Sequence, residues 1–405
     1  MPVLVVGAGP VGLLTAFVLS QRGMACTVLE QHAVALNRSR ASTFQPAVLD
    51  RLSGLGLAAP LLAAGLKVDR IRSWDLNTGH QNDLDYAVIA ADTAHPFRLH
   101  LEQAALRTLL LQRLAAPGGA PVELLEQHRV EALERNEAGE GVRLRIRPAA
   151  GGDRLLHRSG RWLVVADGAR SGLRSQLGLP FDGVDMPEPV VRLMLPALPE
   201  AIARQLAGVT YGRAGVRSFS ALRMPEGWRL ILRPSAQESQ AALTDPTWAR
   251  GVLVELFASL VDPAWWSTAP LQWDHYGVAQ RCVPQRRVGA ALVLGDAAHV
   301  TNTRGGLNMN FGLLEAMALA EALALGGSAP EMIEPALDAW ARLWQSHTIH
   351  ALLPRTSRLL AGGTPLDGTV AAAGSGQASS AAAPDPQESR LRLIKASLLD
   401  LNAPP

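Results

Sequence analysis

A glycine-rich turn near the N-terminus constrains the fold of this chain more than any other feature. The apolar run 3–6, rich in valine, predicts a buried parallel strand. Gly7, Gly9 and Gly12 follow with the spacing G-x-G-x-x-G, and residues 13–21 predict a helix. In such a turn the first glycine allows the tight bend, the second admits a pyrophosphate, and the third lets helix and strand pack closely. The free N–H groups at the helix start then favour phosphate binding.

The second predicted strand is followed by an acidic residue where a ribose would lie. Residues 25–29 form this apolar run, and Glu30 stands eighteen positions after Gly12. A carboxylate there accepts hydrogen bonds from both ribose hydroxyls of an adenosine and repels a 2′-phosphate. The sequence therefore predicts a dinucleotide site that favours FAD or NAD over NADP. Taken alone, the motif is also compatible with a glycine-rich turn that binds nothing.

The composition indicates a globular protein without a strongly charged partner. Of the 405 residues, 48% are apolar and 18% are charged, and the formal net charge is +2. All but two of the 38 basic residues are arginine, and they are scattered, which argues against a nucleic-acid partner. The length allows one large domain or two interleaved ones.

Three features predict a cytoplasmic protein. Cys26 and Cys282 are too few for a disulfide framework and are expected to be buried, reduced thiols. The apolar N-terminus has no basic segment before it, unlike a signal peptide. No uninterrupted apolar run reaches the roughly 18 residues of a membrane span.

The middle of the chain changes from parallel to antiparallel character. Residues 68–74 and 97–101 alternate apolar and polar side chains, which predicts antiparallel strands with one face in water. Residues 102–110 predict an amphipathic helix, and short strands dominate the prediction for 181–280.

Two further apolar runs each end beside an aspartate and a glycine. Residues 162–166 precede Asp167, and residues 287–294 lead to Asp296, followed by the loop 303–310 and a predicted long helix. An aspartate at a strand end can bind a polyol hydroxyl, and N–H groups at a helix start stabilise a carbonyl that gains negative charge.

The C-terminal part differs in composition. Residues 362–387 are rich in Gly, Ala, Ser and Pro, which predicts a flexible linker. In the last segment, 388–401, four apolar residues recur at helical spacing, so we expect a helix that docks on the body or on a second subunit. The side chains expected to be buried are Leu391, Ile394, Leu398 and Leu401.

The three motifs, in this order and at these separations, resemble those of the class A FAD-dependent aromatic hydroxylases, flavoprotein monooxygenases similar to para-hydroxybenzoate hydroxylase. The resemblance implies an α/β fold in which a Rossmann-like FAD-binding domain is interleaved with an antiparallel-sheet substrate domain. The implied division is 1–66, 102–180 and 281–350 for FAD binding, 67–101 and 181–280 for substrate binding, and 351–405 for a C-terminal extension.

The resemblance also implies non-covalent FAD and a set of residues that hold it. Glu30 would bind the adenosine ribose, Arg40 would lie near the pyrophosphate, and Asp296 would bind the ribityl chain. The backbone of Met309 and Asn310 would face a carbonyl of the flavin ring. The complete implied set is Gly7, Gly9, Val11, Gly12, Glu30, Gln31, Arg40, Gln103, Val130, Asp167, Asp296, Gly306, Met309 and Asn310.

Three residues depart from the family pattern. The family usually has proline where Thr303 stands, and Gln-Gly where Leu307 and Asn308 stand. These changes affect the wall that would face substrate more than the nucleotide turn.

Three functions remain open at this point. The first is an NAD(P)H-dependent monooxygenase that uses O₂ and a flavin C4a-hydroperoxide to hydroxylate an aromatic or polyketide-like molecule. The second is a related flavin oxidoreductase, such as a reductase or halogenase, and the third is a flavin-binding partner protein with altered chemistry. The sequence assigns no catalytic acid or base, although His100, Tyr211, His275 and Tyr276 fall in the predicted substrate domain. A monomer or homodimer is expected.

Overall fold

The fold is organised around a parallel sheet whose central strand is the first of the chain. The computed structural model describes residues 2–33, 41–135, 141–149, 155–186, 189–234, 238, 245–360 and 385–401. The strand Val3–Val6 is fully buried and pairs in parallel with Cys26–Leu29 on one side and Trp162–Val165 on the other. Across the sheet the order is Arg287–Val288, Ala291–Val293, Trp162–Val165, Val3–Val6, Cys26–Leu29 and Val122–Leu125.

Helices cover this sheet. The first, Pro10–Gln21, begins three residues before the predicted helix because proline is compatible with the first helical position. It packs against the long helix Leu307–Ser328, and both bury most of their length. The other helices of this part of the molecule are Pro46–Gly54, Ala58–Ala64, Gln103–Ala115, Gly172–Gln176, Ile333–His347 and Leu353–Leu360.

A seven-stranded sheet forms the second layer. Its pairs are antiparallel except for Arg70–Asp75 beside Val209–Ala214, and its order is Gln272–Tyr276, Val190–Leu195, Gly227–Arg233, Arg217–Met224, Val209–Ala214, Arg70–Asp75 and Gln81–Asp85. The helices Pro246–Phe257 and Pro263–Thr268 bury Phe257 and Trp266 against it, and the short helix Glu200–Ala203 packs there too. In the sequence, the strands of the large sheet lie between segments that form the parallel unit. The two units are therefore interleaved along the chain, which confirms the predicted α/β fold.

Three small sheets complete the architecture. They are Thr43–Phe44 with Arg98–His100 and Leu66–Val68; Asp182–Asp185 with Ala279–Cys282 and His299–Val300; and His128–Arg135 with Val142–Pro148 and Leu156–Gly160. The prediction of one wet face for 97–101 is wrong, because all three residues of Arg98–His100 are buried. The neighbouring strands cover only its edges; its faces are covered because Leu99 packs into the core of the parallel unit, Arg98 donates to Tyr86, and His100 Nδ1 lies 2.7 Å from the Arg223 carbonyl oxygen of the large sheet.

The C-terminal segment docks on the body of the protein. Its helix is Pro386–Ala396, and Leu393 and Leu398 are its fully buried apolar side chains. Leu391 is 50% exposed, so its predicted burial is wrong. The helix turns Leu393 toward Tyr86 and Tyr211, and Leu391, two residues earlier, lies on the opposite face. Most of the predicted linker, 361–384, lies outside the described residues.

Two observations concern the predictions about membrane spans and cysteines. Among the described residues, one helix, Arg304–Gly326, is long and apolar enough to cross a membrane, but 61% of its most apolar window is buried inside the protein. Neither Cys26 nor Cys282 forms a disulfide, and burial raises the pKa of Cys26 to about 12.

Candidate active site

The glycine-rich turn packs two of its glycines tightly and leaves the third open. A Cβ atom on Gly7 would lie 2.2 Å from the Ala166 carbonyl oxygen, and one on Gly12 would lie 2.0 Å from the Gly7 carbonyl oxygen. A Cβ atom on Gly9 would meet nothing within 4 Å. The turn therefore needs the first and last glycines for packing, and the middle one leaves room for a group that approaches the helix start.

Glu30 is tied to this turn by its own carboxylate. Its Oε2 accepts a hydrogen bond from the Ala8 N–H at 2.9 Å, and its Oε1 accepts one from the His32 N–H at 2.9 Å. On the other side of the turn, Arg107 donates from Nε to the Ala8 carbonyl oxygen at 3.1 Å. Arg107 stands in no motif that would predict this contact, and it reaches the turn from the helix Gln103–Ala115.

A cleft of about 690 Å³ opens at the carboxyl ends of the parallel strands. Six of the predicted residues line it: Gly7, Gly9, Glu30, Gln31, Val130 and Asp167. Burial raises the pKa of Asp167, although its carboxylate accepts hydrogen bonds from Ser171 and from the Leu173 N–H. Its Oδ1 is buried and has no hydrogen-bond partner in the described part of the chain. A buried acceptor of this kind fits a ligand that donates a hydrogen bond there.

A second cavity, of about 330 Å³, lies next to the cleft. The loop after strand Trp162–Val165 borders both spaces, because Asp167 lines the cleft and Ala169 lines the cavity. The cavity brings together the predicted residues Gln103, Asp296, Gly306 and Met309, and also the departing positions Thr303, Leu307 and Asn308.

The remaining predicted residues lie behind these walls. Asn310 is fully buried; its Oδ1 accepts from the Gln45 N–H at 2.8 Å, and its Nδ2 donates to the Thr43 carbonyl oxygen at 2.8 Å. Its side chain therefore joins strand Thr43–Phe44 to the start of the long helix. Val11 packs against Gly295, because a Cβ atom added to Gly295 would lie 3.1 Å from Val11 Cγ1. Arg40 falls outside the described residues.

A buried network of hydrogen bonds and an ion pair lies next to Asp296. Glu315 is fully buried in an ion pair with Arg286, and its Oε2 accepts from the Gly295 N–H at 3.1 Å and faces His299 Nε2 at 2.8 Å. Burial opposes ionisation of Glu315, but Arg286 and His299 together hold its pKa below the ordinary range.

The same network explains Asn308, one of the positions that departs from the family pattern. His299 Nδ1 lies 2.8 Å from Asn308 Oδ1, and Asn308 Nδ2 donates to Asp296 Oδ1 at 2.8 Å. Asn308 thus connects the aspartate at the strand end to the buried charges under the long helix.

Five arginines in the cavity wall were missed by sequence reasoning: Arg98, Arg192, Arg229, Arg233 and Arg304. Tyr211 and Tyr276 also line the cavity, whereas His275 is exposed on the large sheet. His100 is buried behind the wall, where its Nδ1 lies 2.7 Å from the Arg223 carbonyl oxygen. No local pattern separates these arginines from the many others in the sequence, because they come from three strands and from the turn before the long helix, which are distant from one another in the chain.

Comparison with known proteins agrees with this arrangement of cleft and cavity. The model of a family described as "FAD binding domain" matches residues 1–333. This chain belongs to the FAD-dependent aromatic hydroxylase family. The family resemblance stated from the sequence, and with it the FAD-binding domain, are confirmed.

Individual relatives are similar over most of the chain. The chain is 32% identical over 333 residues to para-nitrophenol 4-monooxygenase of a Pseudomonas species (strain WBC-3), covering 79% of this chain and 77% of that protein. It is 28% identical over 330 residues to 6-hydroxy-3-succinoylpyridine 3-monooxygenase of Pseudomonas putida, covering 79% and 78%.

A solved structure shows the same fold. The crystal structure of p-nitrophenol 4-monooxygenase from Pseudomonas putida matches with a TM-score of 0.76 at 27% identity, covering 89% of this chain and 88% of that one. The family fold therefore includes both the parallel sheet and the large antiparallel sheet.

Proposed function

We propose that this protein is an NAD(P)H-dependent FAD monooxygenase that hydroxylates an aromatic or polyketide-like small molecule with O₂. The observation that carries the proposal is the shared border of two spaces. A glycine-lined cleft shares the loop after strand Trp162–Val165 with a cavity whose wall is partly apolar, so a dinucleotide in the cleft can extend its ring toward a substrate in the cavity. FAD, when bound, would supply the redox chemistry, with NAD(P)H as reductant and O₂ as oxidant.

The residues of the cleft fit the adenosine and pyrophosphate portions of FAD. Glu30 offers carboxylate oxygens to the ribose hydroxyls, and the backbone at Gly9 leaves room for phosphate at the start of helix Pro10–Gln21. The unpartnered Asp167 Oδ1 is an acceptor for a further hydroxyl or amide.

The residues of the cavity fit the ribityl chain and the ring. Asp296 lines the cavity and accepts a hydrogen bond from Asn308, and it would accept a further one from a polyol hydroxyl. The long helix begins at Leu307, so its N–H groups and the positive end of its dipole would stabilise negative charge on a bound ring. Leu222, Ile231 and Val278 add apolar surface to the cavity wall, which would help to exclude water.

The first experiment measures FAD and turnover on the purified protein. We expect one FAD per chain, released by heat or acid, and NAD(P)H oxidation that a suitable aromatic substrate accelerates. Flavin that stays attached to the denatured chain would contradict non-covalent binding. FAD that is retained without any substrate-stimulated oxidation would instead favour the flavin-binding partner protein.

Glu30→Gln tests the adenosine end of the site. The loss of the charged acceptor should weaken FAD binding by about 1.5–3 kcal/mol, the range for hydrogen bonds to a charged group. Titration of apoprotein with FAD measures this. Glu126→Gln, a change outside the lining of the cleft, is the control and should bind FAD like the parent chain. Unchanged affinity in Glu30→Gln would remove Glu30 from the ribose site.

The cellular location and the oligomeric state belong to the same proposal. We expect a cytoplasmic monomer or homodimer, and size-exclusion chromatography with light scattering gives the oligomeric state.

A further inference from the structure

His299 lies in the buried network with an oxygen atom opposite each of its ring nitrogens. Its Nε2 is 2.8 Å from Glu315 Oε2, and its Nδ1 is 2.8 Å from Asn308 Oδ1. The ring is fully buried, and its centre lies 5.1 Å from that of the Phe311 ring. A neutral imidazole has one N–H donor and one acceptor, whereas an imidazolium has two donors. The charge of His299 therefore depends on whether both of these oxygens accept.

Glu315 accepts at both of its carboxylate oxygens. Its Oε1 forms the ion pair with Arg286, and its Oε2 accepts from the Gly295 N–H at 3.1 Å. A carboxylate that is paired with a buried guanidinium is ionised and has no proton to donate. The hydrogen between His299 Nε2 and Glu315 Oε2 therefore belongs to the histidine.

The amide of Asn308 is oriented by Asp296, at the other end of the chain of hydrogen bonds. Asn308 Nδ2 donates to Asp296 Oδ1 at 2.8 Å, so Asn308 Oδ1 is the atom that faces His299. The reverse orientation would place the amide oxygen against the Asp296 carboxylate, which is exposed and therefore ionised at neutral pH. An amide oxygen only accepts hydrogen bonds. His299 Nδ1 must therefore donate as well, and both ring nitrogens carry hydrogen.

Resting on the proposed function, we propose that His299 is held as an imidazolium and, through Asn308, positions the Asp296 carboxylate for FAD. If His299 lost its second proton, the lone pair on Nδ1 would face the Asn308 amide oxygen. Turning the amide would relieve this contact but place the same oxygen against Asp296. Either arrangement contains a repulsive contact, so Asp296 would be held less firmly and FAD would bind less tightly.

The groups around His299 favour the second proton. Glu315 faces it from the long helix, and Asp296 lies beyond Asn308, so a carboxylate stands on each side of the imidazolium. Arg286 is the nearby opposing charge, and it is paired with Glu315. On the adjacent strand Cys282 is the ladder partner of His299, and burial raises the pKa of its thiol, which therefore stays neutral.

Two substitutions test the chain by FAD titration of the apoprotein. His299→Gln removes the charge, and because His299 does not line the cavity, its effect on FAD must be transmitted by Asn308. Asn308→Leu keeps the approximate size of the side chain but removes its amide. We expect each variant to bind FAD roughly tenfold more weakly. If His299→Gln does not fold, as judged by circular dichroism, Asn308→Leu decides the question.

His275→Gln is the matched control, because His275 is exposed on the large sheet and does not line the cavity. It should bind FAD like the parent protein at every pH. A folded His299→Gln that binds FAD as tightly as this control would overturn the role of His299.

The charge of His299 is measured directly by nuclear magnetic resonance on the holoprotein with ¹⁵N-labelled histidine. Its signal is the one that is missing in His299→Gln, or the one that shifts in Asn308→Leu. At neutral pH we expect two ring nitrogens with nearly equal chemical shifts, as in an imidazolium. A neutral ring, whose two nitrogens differ widely in chemical shift, would overturn the inference.

Raising the pH connects the two measurements. When the His299 signal becomes neutral, FAD binding by the parent protein should weaken by roughly tenfold, and His299→Gln should lack this step. An affinity that stays constant while His299 loses its charge would overturn the inference. If His299 remains charged wherever the protein is folded, the affinity of His299→Gln decides. A parent protein that binds no FAD would contradict the proposed function as well, whereas the other outcomes leave FAD binding intact.

Discussion

The cleft and the cavity lie side by side, but their walls are built differently. The cleft is formed by backbone at the ends of parallel strands, with carboxylates such as Glu30 added to it. The wall of the cavity contains five arginine side chains: three come from the large antiparallel sheet, and Arg98 and Arg304 come from other elements. The shape of a wall made of backbone is determined by the local conformation of the chain. The stability of a wall that contains charged side chains depends on whether each charge has an opposite charge beside it. Changes in charge should therefore affect the cavity side most, and changes in side-chain volume should affect the cleft.

The largest effect is expected in the buried charge network behind the cavity. Glu315→Gln keeps the shape of the side chain but leaves the buried Arg286 without its counter-ion. Breaking a buried pair in this way should lower the free energy of unfolding by about 3–5 kcal/mol, measured by urea denaturation.

Glu321→Gln on the same helix is the control for that experiment. Glu321 pairs with Arg51 at 3.1 Å, and its side chain is 44% exposed. Exposed pairs contribute only about 0–1 kcal/mol, so this variant should be nearly as stable as the parent protein. An equal loss of unfolding free energy in the two variants would mean that the buried ion pair contributes no more to stability than the exposed one.

The next effect concerns pH and belongs to the cavity side. Burial, and then the nearby cations Arg98 and Arg229, lower the pKa of His100 to about 4 from its ordinary value of 6.5, although its bond to the Arg223 carbonyl acts in the opposite direction. The unfolded chain therefore binds the proton more readily than the folded one. This contribution to stability is complete above pH 6.5 and is lost as the pH falls toward 4, up to about 3 kcal/mol.

His100→Asn removes that proton uptake while keeping a donor for the Arg223 carbonyl. We expect its free energy of unfolding to fall less than that of the parent protein between neutral pH and pH 4, as measured by denaturant titrations at each pH. Parallel pH profiles of the two proteins would show that His100 is not the group that titrates.

The smallest of these effects contrasts two glycines of the cleft. Gly12→Ala forces a Cβ atom against the Gly7 carbonyl oxygen, 2.0 Å away before relaxation, and should cost about 1–3 kcal/mol of stability. Gly9→Ala meets no protein atom, so it should leave the melting temperature unchanged but weaken FAD binding. Thermal melts and FAD titrations separate the two outcomes. A Gly9→Ala variant with full FAD affinity would place the pyrophosphate elsewhere.

Six of the residues predicted from the sequence line one cleft, because the conformation of the glycine-rich turn is determined locally. The bend at Gly7 has a φ of 108°, which an L side chain rarely adopts, and the apolar strands around it are continuous in sequence. The antiparallel second unit and the long helix after Asp296 were predicted for the same reason, from periodicity within short segments. For the terminal helix, the spacing of apolar residues predicted that a helix forms but not which side chains it buries. Burial depends on the surface against which the helix packs, and the structure buries Leu393 rather than Leu391 there.

The sequence by itself determined the nucleotide turn, the acidic residue after the second strand and the α/β class, because backbone conformation and strand patterning act over a few residues. Only the tertiary structure decided the character of the cavity. Arg98 comes from the strand Arg98–His100 of a small sheet and Arg233 from the end of the strand Gly227–Arg233 of the large sheet, and neither stands in a motif. Whether an arginine is paired or uncompensated depends on which side chains lie beside it after folding, and that proximity is absent from the linear order of the residues.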